Sequence, residues 1–223
     1  MPGELLAFDV NETLLDLTAL DAPFTAAFGD AALRPVWFQT MLQLSFVGGL
    51  TSQYVDFTSA QYAALDMIAT RLGRTLTPEQ RDAIVGGMRK LPPHPDVVGA
   101  LQRLRVAGFR QVTLTNSPAD VVRDQIEYAG LTVLFDELIS ADEVRQLKPG
   151  PAPYQLVARR GGVEIGRVRL IAAHAWDVSG ALAAGAKAAF VRRGGVVPSP
   201  LGAQPDIVGR DIADVADQLI ARG

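Results

Sequence analysis

Short, continuous runs of apolar residues recur along the chain, each bounded by charged residues or glycine. The runs cover residues 5–8, 112–115, 138–140, 168–173 and 188–191. Runs of this kind are typical of the central strands of a parallel sheet, because such a sheet is buried on both faces. The pattern therefore predicts five buried strands.

Two segments between these runs show the spacing of a helix instead. One extends from Val97 to Leu104 and the other from Val121 to Ala129, and a glycine follows each. Ser117 precedes Pro118, an order that predicts a side-chain cap at the start of the second helix. Strands that alternate with helices predict an α/β fold with a Rossmann-like parallel sheet.

The stretch from residue 17 to residue 94 interrupts this alternation, because it contains no convincing strand. Its apolar spacing predicts three helices, over residues 33–50, 54–72 and 78–90. The proline-rich residues 91–95 then form a stiff connector. The predicted domains are a Rossmann-like catalytic core of residues 1–15 and 96–223 and an inserted helical cap of residues 16–95.

Composition narrows the possible classes of protein. The 223 residues include no cysteine and two histidines, which excludes disulfide scaffolds, cysteine-ligated metals and multi-histidine metal sites. With 21 basic and 24 acidic residues the net charge is -3, so no nucleic acid and no membrane is expected as a partner. No apolar run reaches the length of a membrane span, and the first residues do not resemble a signal peptide. We therefore expect a cytoplasmic protein.

The residues that follow the predicted strands are polar and chemically diverse. They are Asp9 to Thr13 after the first strand, Thr115 and Asn116 at the second, Lys148 after the third, and His174 and Asp177 after the fourth. In open α/β sheets, ligands bind at the carboxyl ends of the strands. Carboxylates, an ammonium, a hydroxyl and an amide would meet there, and such a set can support nucleophilic catalysis.

Four segments resemble, in this order, the motifs of the haloacid dehalogenase superfamily; they are residues 8–14, 115–117, 148–149 and 176–177. The inserted helices resemble that superfamily's helical cap, and the resemblance covers essentially the whole chain. The closer similarity is to the type II L-2-haloacid dehalogenases. It is carried by residues 175–177, by Tyr154 six residues after Lys148, and by Trp37 and residues 54–57 in the cap.

Two positions distinguish carbon–halogen cleavage from the phosphate-ester hydrolysis that most of this superfamily performs. The resemblance places Asn11 where a phosphatase carries the acid for its leaving group, and Ala173 where it carries a Mg²⁺ ligand. An amide cannot give that proton and a methyl group cannot bind magnesium, whereas a halide leaves as a stable anion without either. We therefore predict a metal-independent hydrolase, with no cofactor, that converts short 2-haloacids (2-haloalkanoates or haloacetates) to 2-hydroxy acids.

The resemblance also implies a role for each site residue. Asp9 attacks the halogen-bearing carbon to form an aspartyl ester, Asp177 orients and activates the hydrolytic water, and Lys148 holds the carboxylates in place. Thr13 orients Asp9. The residues expected to contact the substrate carboxylate, the halide or the carbon skeleton are Val10, Asn11, Thr115, Asn116, Phe38, Phe57, Tyr154 and Trp176.

Two departures from the subfamily pattern concern the halide. The subfamily usually has an arginine after the cap tryptophan, where this chain has Phe38, and an asparagine where this chain has His174. A protonated His174 could supply charge to the halide or help to position the hydrolytic water. Alternatively, the site favours a different small substrate or has lost its activity.

Other interpretations stay open from the sequence alone. The chain could be a Mg²⁺-dependent phosphatase of the same superfamily, or a catalytically silent binding protein of the same fold. Residues that could serve the fold alone are Tyr154, His174, Trp176 and the cap aromatics, with His94 as a linker residue and Arg192 and Arg193 as a solvated pair. A homodimer is expected, because the cap helices carry more apolar residues than one inward stripe needs and because the subfamily is commonly dimeric.

Overall fold

The computed structural model describes residues 3–222, and a six-stranded parallel sheet lies at its centre. The strands in chain order are β1 (Leu5–Phe8), β2 (Arg110–Thr115), β3 (Glu137–Ser140), β4 (Val168–Ala172), β5 (Lys187–Val191) and β6 (Ile207–Gly209). Their spatial order is β3-β2-β1-β4-β5-β6, and every neighbouring pair is parallel. The predicted α/β class is therefore confirmed.

The central strand explains why the apolar runs are continuous. All four residues of β1 are buried, with Leu6 and Phe8 in the core on one face of the sheet and Leu5 and Ala7 in the core on the other. A strand covered on both faces has no polar side to alternate with. The five predicted strands are confirmed; β6 was not predicted, because its three residues make no run of their own.

Five helices cover the two faces of the sheet: α5 (Val97–Val106), α6 (Ala119–Tyr128), α7 (Pro151–Gly161), α8 (Ala175–Ala183) and α9 (Ile212–Arg222). The first two and the last share one core, and α7 and α8 share the other. The predicted cap by Ser117 is wrong. Its hydroxyl accepts a hydrogen bond from the Asn11 side chain, and α6 begins at Ala119 without a side-chain cap.

Four helices lie between β1 and α5: α1 (Asp21–Phe28), α2 (Leu33–Leu50), α3 (Phe57–Arg71) and α4 (Pro78–Gly87). The prediction for α2 is confirmed at both ends, whereas α1 was not predicted. The start of α3 is later than predicted because the Asp56 carboxylate caps it by accepting from the Ser59 amide. The boundaries of the cap domain stay a prediction. Within residues 3–222, no helix is both long and apolar enough to cross a membrane.

Candidate active site

The site lies where the central strand of the sheet ends. Asp9 directly follows β1, and its amide donates to Ile171 of β4 at 3.0 Å. The neighbours of β1 are β2, which ends at Thr115, and β4, which leads into His174. Ligands of open α/β sheets bind outside the carboxyl ends of the strands, at the point where the strand order reverses. The fold therefore brings Asp9 between the residues that β2 and β4 deliver.

Asp9 is a buried carboxylate whose two oxygens face different partners. Oδ1 accepts from Lys148 Nζ at 3.0 Å, and Oδ2 accepts from Thr13 Oγ1 at 2.6 Å and lies 3.0 Å from His174 Nδ1. Burial by itself would raise the pKa of Asp9, but Lys148, His174 and Thr13 outweigh burial and hold the pKa well below its usual value. The Ala173 amide donates to Thr13 Oγ1 and fixes that hydroxyl. Asp9 is thus a buried carboxylate that is ionised and held in a fixed orientation.

Lys148 is a buried cation shared by two carboxylates. Its Nζ donates to Asp9, to Asp177 Oδ2 at 2.5 Å and to the Leu114 carbonyl at 2.7 Å, which uses all three N–H groups. The Asn116 side chain holds the Lys148 backbone by accepting from its amide and donating to its carbonyl. Although burial opposes it, the attraction of the two carboxylates raises the pKa of Lys148. Lys148 is therefore a buried cation with no N–H group left to donate.

Asp177 lies behind Lys148, in the first turn of α8. Its Oδ1 accepts from the Tyr154 hydroxyl at 2.6 Å, so both carboxylate oxygens have donors. Burial, with the charge of Asp9 added to it, raises the pKa of Asp177 against the opposing effect of Lys148. The charge of Lys148 does not stabilise the two carboxylates equally, so the pKa of Asp9 is lower than the pKa of Asp177.

His174 lies between two aromatic rings and two carboxylates. Its ring stacks on Phe38 at 5.8 Å and on Trp176 at 5.2 Å between centroids, and its Nε2 lies 2.9 Å from Glu12 Oε2. Burial would lower the pKa of His174, but the hydrogen bonds to Asp9 and Glu12 raise it to about 9. The ring is therefore an imidazolium at neutral pH, and flanking aromatic faces stabilise such a cation.

A small cavity of ≈ 10 Å³ lies over Asp9. It is lined by Asp9, Asn11, Phe38, Leu42, Phe57, Thr115, Asn116, Lys148, His174 and Trp176. This volume is roughly what one water molecule needs. A larger pocket of ≈ 270 Å³ lies on the other side of His174 and includes Glu12, Arg34 and His94, but not Asp9. The smaller cavity is the candidate site because Asp9 lines it.

Most residues expected to contact the substrate line this cavity. Within the described part of the chain, four of the predicted site residues do not; they are Val10, Thr13, Tyr154 and Asp177. Leu42 also lines the cavity but was not predicted as a site residue. It lies one helical turn after Phe38, so the helical spacing could have indicated that both face the site. Glu12 was placed at the rim of the sheet with its neighbours, but its contact with His174 was not predicted. Gln125, which donates to Asn11 Oδ1 at 2.9 Å, gives no signal in the sequence.

Two residues interpreted as peripheral belong to the surroundings of the site. Arg193 is not solvated, because its guanidinium binds both carboxylate oxygens of Asp96 and donates to the Thr13 carbonyl. His94 is more than a linker residue, because its Nε2 lies 3.1 Å from the Glu12 carbonyl. Contacts between residues so far apart in the sequence produce no local sequence pattern from which they could be predicted.

The chain that carries this buried carboxylate and lysine belongs to a known class of protein. Residues 4–185 match haloacid dehalogenase-like hydrolases, and the chain belongs to that family. Within the family, the chain is 31% identical over 205 residues to (S)-2-haloacid dehalogenase 2 of Pseudomonas sp. strain CBS-3, covering 91% of this chain and 90% of that one. It is 30% identical over 220 residues to haloacetate dehalogenase H-2 of Moraxella sp. strain B, with 98% of each chain covered.

A solved structure shows the same architecture. The L-2-haloacid dehalogenase of Xanthobacter autotrophicus, solved with chloropropionic acid covalently bound, is 27% identical and superposes with a TM-score of 0.88. The superposition covers 99% of this chain and 98% of that one. The resemblance found in the motifs is thereby confirmed.

Proposed function

We propose that this protein is a 2-haloacid dehalogenase that hydrolyses carbon–halogen bonds through an ester on Asp9. The observation that carries the proposal is the buried Asp9 carboxylate, kept ionised by Lys148 and facing the small cavity. An ionised carboxylate is the nucleophile that displacement of a halide requires. The similarity to 2-haloacid and haloacetate dehalogenases supports this substrate class.

Two steps follow from the contacts of Asp9. Oδ1, which has one donor against two at Oδ2, attacks the carbon that bears the halogen, and the halide leaves with the bonding electrons. Oδ2 then becomes the ester carbonyl oxygen. Thr13 Oγ1 already donates to it and stabilises the negative charge that water attack develops there. Hydrolysis returns the carboxylate and releases the 2-hydroxy acid.

We assign the carboxylate and the halogen of the substrate to different residues around the cavity. Thr115 and the backbone amides of Val10 and Asn11 are our candidates for the substrate carboxylate. Phe38, Phe57 and Asn116 border the halide, with Trp176 as a further wall. The cation beside the nucleophile on this side is His174, which supplies the charge that an arginine at the Phe38 position would supply.

The phosphatase alternative needs Mg²⁺, and the residues present do not fit that ion. Ala173 offers a methyl group where a carboxylate ligand is needed, and both oxygens of Asp177 are bound by Lys148 and Tyr154. Within residues 3–222 no group of three or more histidine and carboxylate side chains could hold a metal ion. Asn11 also carries no proton for a leaving alkoxide.

A halide-release assay tests the function. The purified protein is incubated with fluoro-, chloro- and bromoacetate and with 2-chloropropionate, each with and without chelator. We expect halide and hydroxy acid in equal amounts, unaffected by the chelator. Phosphate release from p-nitrophenyl phosphate that depends on Mg²⁺, with no halide from any haloacid, would show that the protein is the phosphatase instead.

The charge of His174 predicts a pH dependence. Its pKa is about 9 and that of Lys148 is raised above its usual value, so His174 is the first of the two site cations to lose its charge as the pH rises. We expect kcat/KM for a haloacid anion to stay level through neutral pH and to fall above about pH 9. The comparison is initial halide release by wild type and by His174→Asn, which should lack this alkaline limb. An identical profile in both would remove His174 from the reaction.

We further propose a cytoplasmic homodimer that contacts its partner through α2. Trp37, Phe38, Met41 and Leu42 face inward, whereas Val47 and Leu50 are 48% and 86% exposed on one side of the helix. An exposed apolar stripe of this kind favours association. Light scattering after gel filtration should give twice the mass of 23.8 kDa for wild type and the single mass for Leu50→Asp. Cell fractionation would test the location.

A further inference from the structure

Asn11 lines the cavity over Asp9, and the amide of its side chain is held on both sides. The residue is 4% exposed. Its Oδ1 accepts a hydrogen bond from Gln125 Nε2 at 2.9 Å, and its Nδ2 donates to Ser117 Oγ at 3.2 Å. The function proposed above uses the backbone amide of Asn11 and gives its side chain no role.

A backbone carbonyl determines which way the Gln125 amide faces. Gln125 is a fully buried residue of α6, and its Nε2 donates to the Met88 carbonyl at 2.7 Å as well as to Asn11. A carbonyl oxygen only accepts, so the nitrogen of Gln125 has to face Met88. The same nitrogen meets Asn11, which has to turn its oxygen toward Gln125 and its nitrogen away from it.

This orientation leaves one N–H group of Asn11 free for a ligand. A primary amide carries two N–H groups, and among the described residues Ser117 is the one acceptor for Asn11 Nδ2. In that part of the chain neither Ser117 nor Gln125 lines the cavity, whereas Asn11 does. The second N–H group is therefore available to a molecule in the cavity.

The neighbours of Asn11 favour the substrate carboxylate as the acceptor. The Asn11 side chain extends to Ser117, whose amide donates to Thr115 Oγ1 at 3.1 Å. Thr115 and the backbone amide of Asn11 are already our candidates for the carboxylate, so the free N–H group belongs to the same side of the cavity. Hydrogen bonds to an ionised acceptor are stronger than those to a neutral one.

We propose that Gln125 is a positioning residue that turns the Asn11 amide so that an N–H group faces the cavity and binds the substrate carboxylate. Asn11 makes the contact, and Gln125 acts through it. The Met88 carbonyl directly follows α4, so the inserted helices help to fix this orientation. The proposal rests on the proposed function, because it concerns how the haloacid anion of that reaction is held.

The substitution Gln125→Glu should reverse the Asn11 amide. The oxygen that replaces Nε2 is buried beside the Met88 carbonyl, so it carries a proton, donates it to that carbonyl and accepts from Asn11. Asn11 then turns its own oxygen toward the cavity, where it repels a carboxylate.

The measurement is initial halide release over a range of chloroacetate concentrations. For Gln125→Glu we expect KM to rise about tenfold, because a hydrogen bond to a charged group is lost. We expect kcat to stay within about threefold of wild type, because this contact holds the carboxylate equally before and during bond breaking.

Two further variants test whether Gln125 acts through Asn11. Asn11→Leu removes the amide and should raise KM by itself, and adding Gln125→Glu to it should change KM by no more than about twofold. Gln125→Met introduces no buried acid and leaves the Asn11 amide free to turn, so its KM should rise by a smaller factor of about three.

Gln111 provides the matched control. It is another fully buried glutamine, and its Nε2 donates to the carbonyls of Leu101 and Leu134. It lies near the start of β2, at the opposite end of that strand from Thr115. Replacing Gln111 by Glu or by Met should leave KM at the wild-type value, whatever the change does to stability.

Three outcomes would overturn the proposal. They are a wild-type KM in both Gln125 variants, an equal rise of KM in the Gln111 variants, and a further rise when Gln125→Glu is added to Asn11→Leu. Each of them leaves the proposed function standing, because wild type still releases halide. If wild type releases no halide from any haloacid, the proposed function fails and this inference with it.

Discussion

Asp9→Asn abolishes halide release, with an expected loss on the order of 10⁶, as for other enzymes deprived of a covalent nucleophile. The amide is nearly isosteric and keeps an oxygen for Thr13, but it carries no charge, and the electron pair of its nitrogen is delocalised and does not attack carbon. Halide release with a haloacid in excess measures the loss, and mass spectrometry should find no ester at residue 9.

The control for this prediction is Asp16→Asn, a substitution of the same kind at the other end of the same loop. Asp16 only caps a short helical turn by accepting from the Thr18 amide and hydroxyl. Its activity should equal that of wild type. Halide release by Asp9→Asn at a tenth of the wild-type rate or more would mean that another group is the nucleophile.

Lys148→Met is expected to remove activity and to destabilise the fold by about 3–5 kcal/mol, because it leaves buried carboxylates without their cation. Asp9 and Asp177 are both buried, and both contact Nζ. Urea unfolding measures the loss. The difference in unfolding free energy between the variant and wild type should become smaller as the pH falls. Protonation of one carboxylate then removes the repulsion that the lysine normally offsets.

The matched control for this prediction is Lys187→Met at the opposite end of the sheet. Its ammonium pairs with Glu4, but its side chain is 47% exposed. Exposed pairs contribute at most about 1 kcal/mol, so this variant should unfold close to wild type. A Lys148→Met protein as stable as Lys187→Met would show that the buried carboxylates do not depend on Lys148.

The sequence was sufficient for the five buried strands and for the positions of the chemical groups at the rim of the sheet, for a physical reason. A buried strand needs a continuous apolar run, and the residue after it is fixed at the rim, so Asp9, Thr115 and His174 could be placed together. What a side chain contacts there depends on long-range packing. The saturation of Asp177 by Lys148 and Tyr154, and the contact of Glu12 with His174, join segments more than twenty residues apart and leave no periodic signal.

The walls of the small cavity over Asp9 come from two parts of the chain, the inserted helices and the sheet-forming core. Three of the wall residues, Phe38, Leu42 and Phe57, come from the inserted helices. Trp176 comes from the first turn of α8, and the others come from the ends of the strands or the segments that follow them. The space available to a longer carbon chain is therefore set by side chains that take no part in bond making. Substitutions in α2 and α3 can therefore alter which haloacid is accepted while the reacting groups stay in place. Substrate selectivity and bond chemistry depend on residues from different segments of the chain.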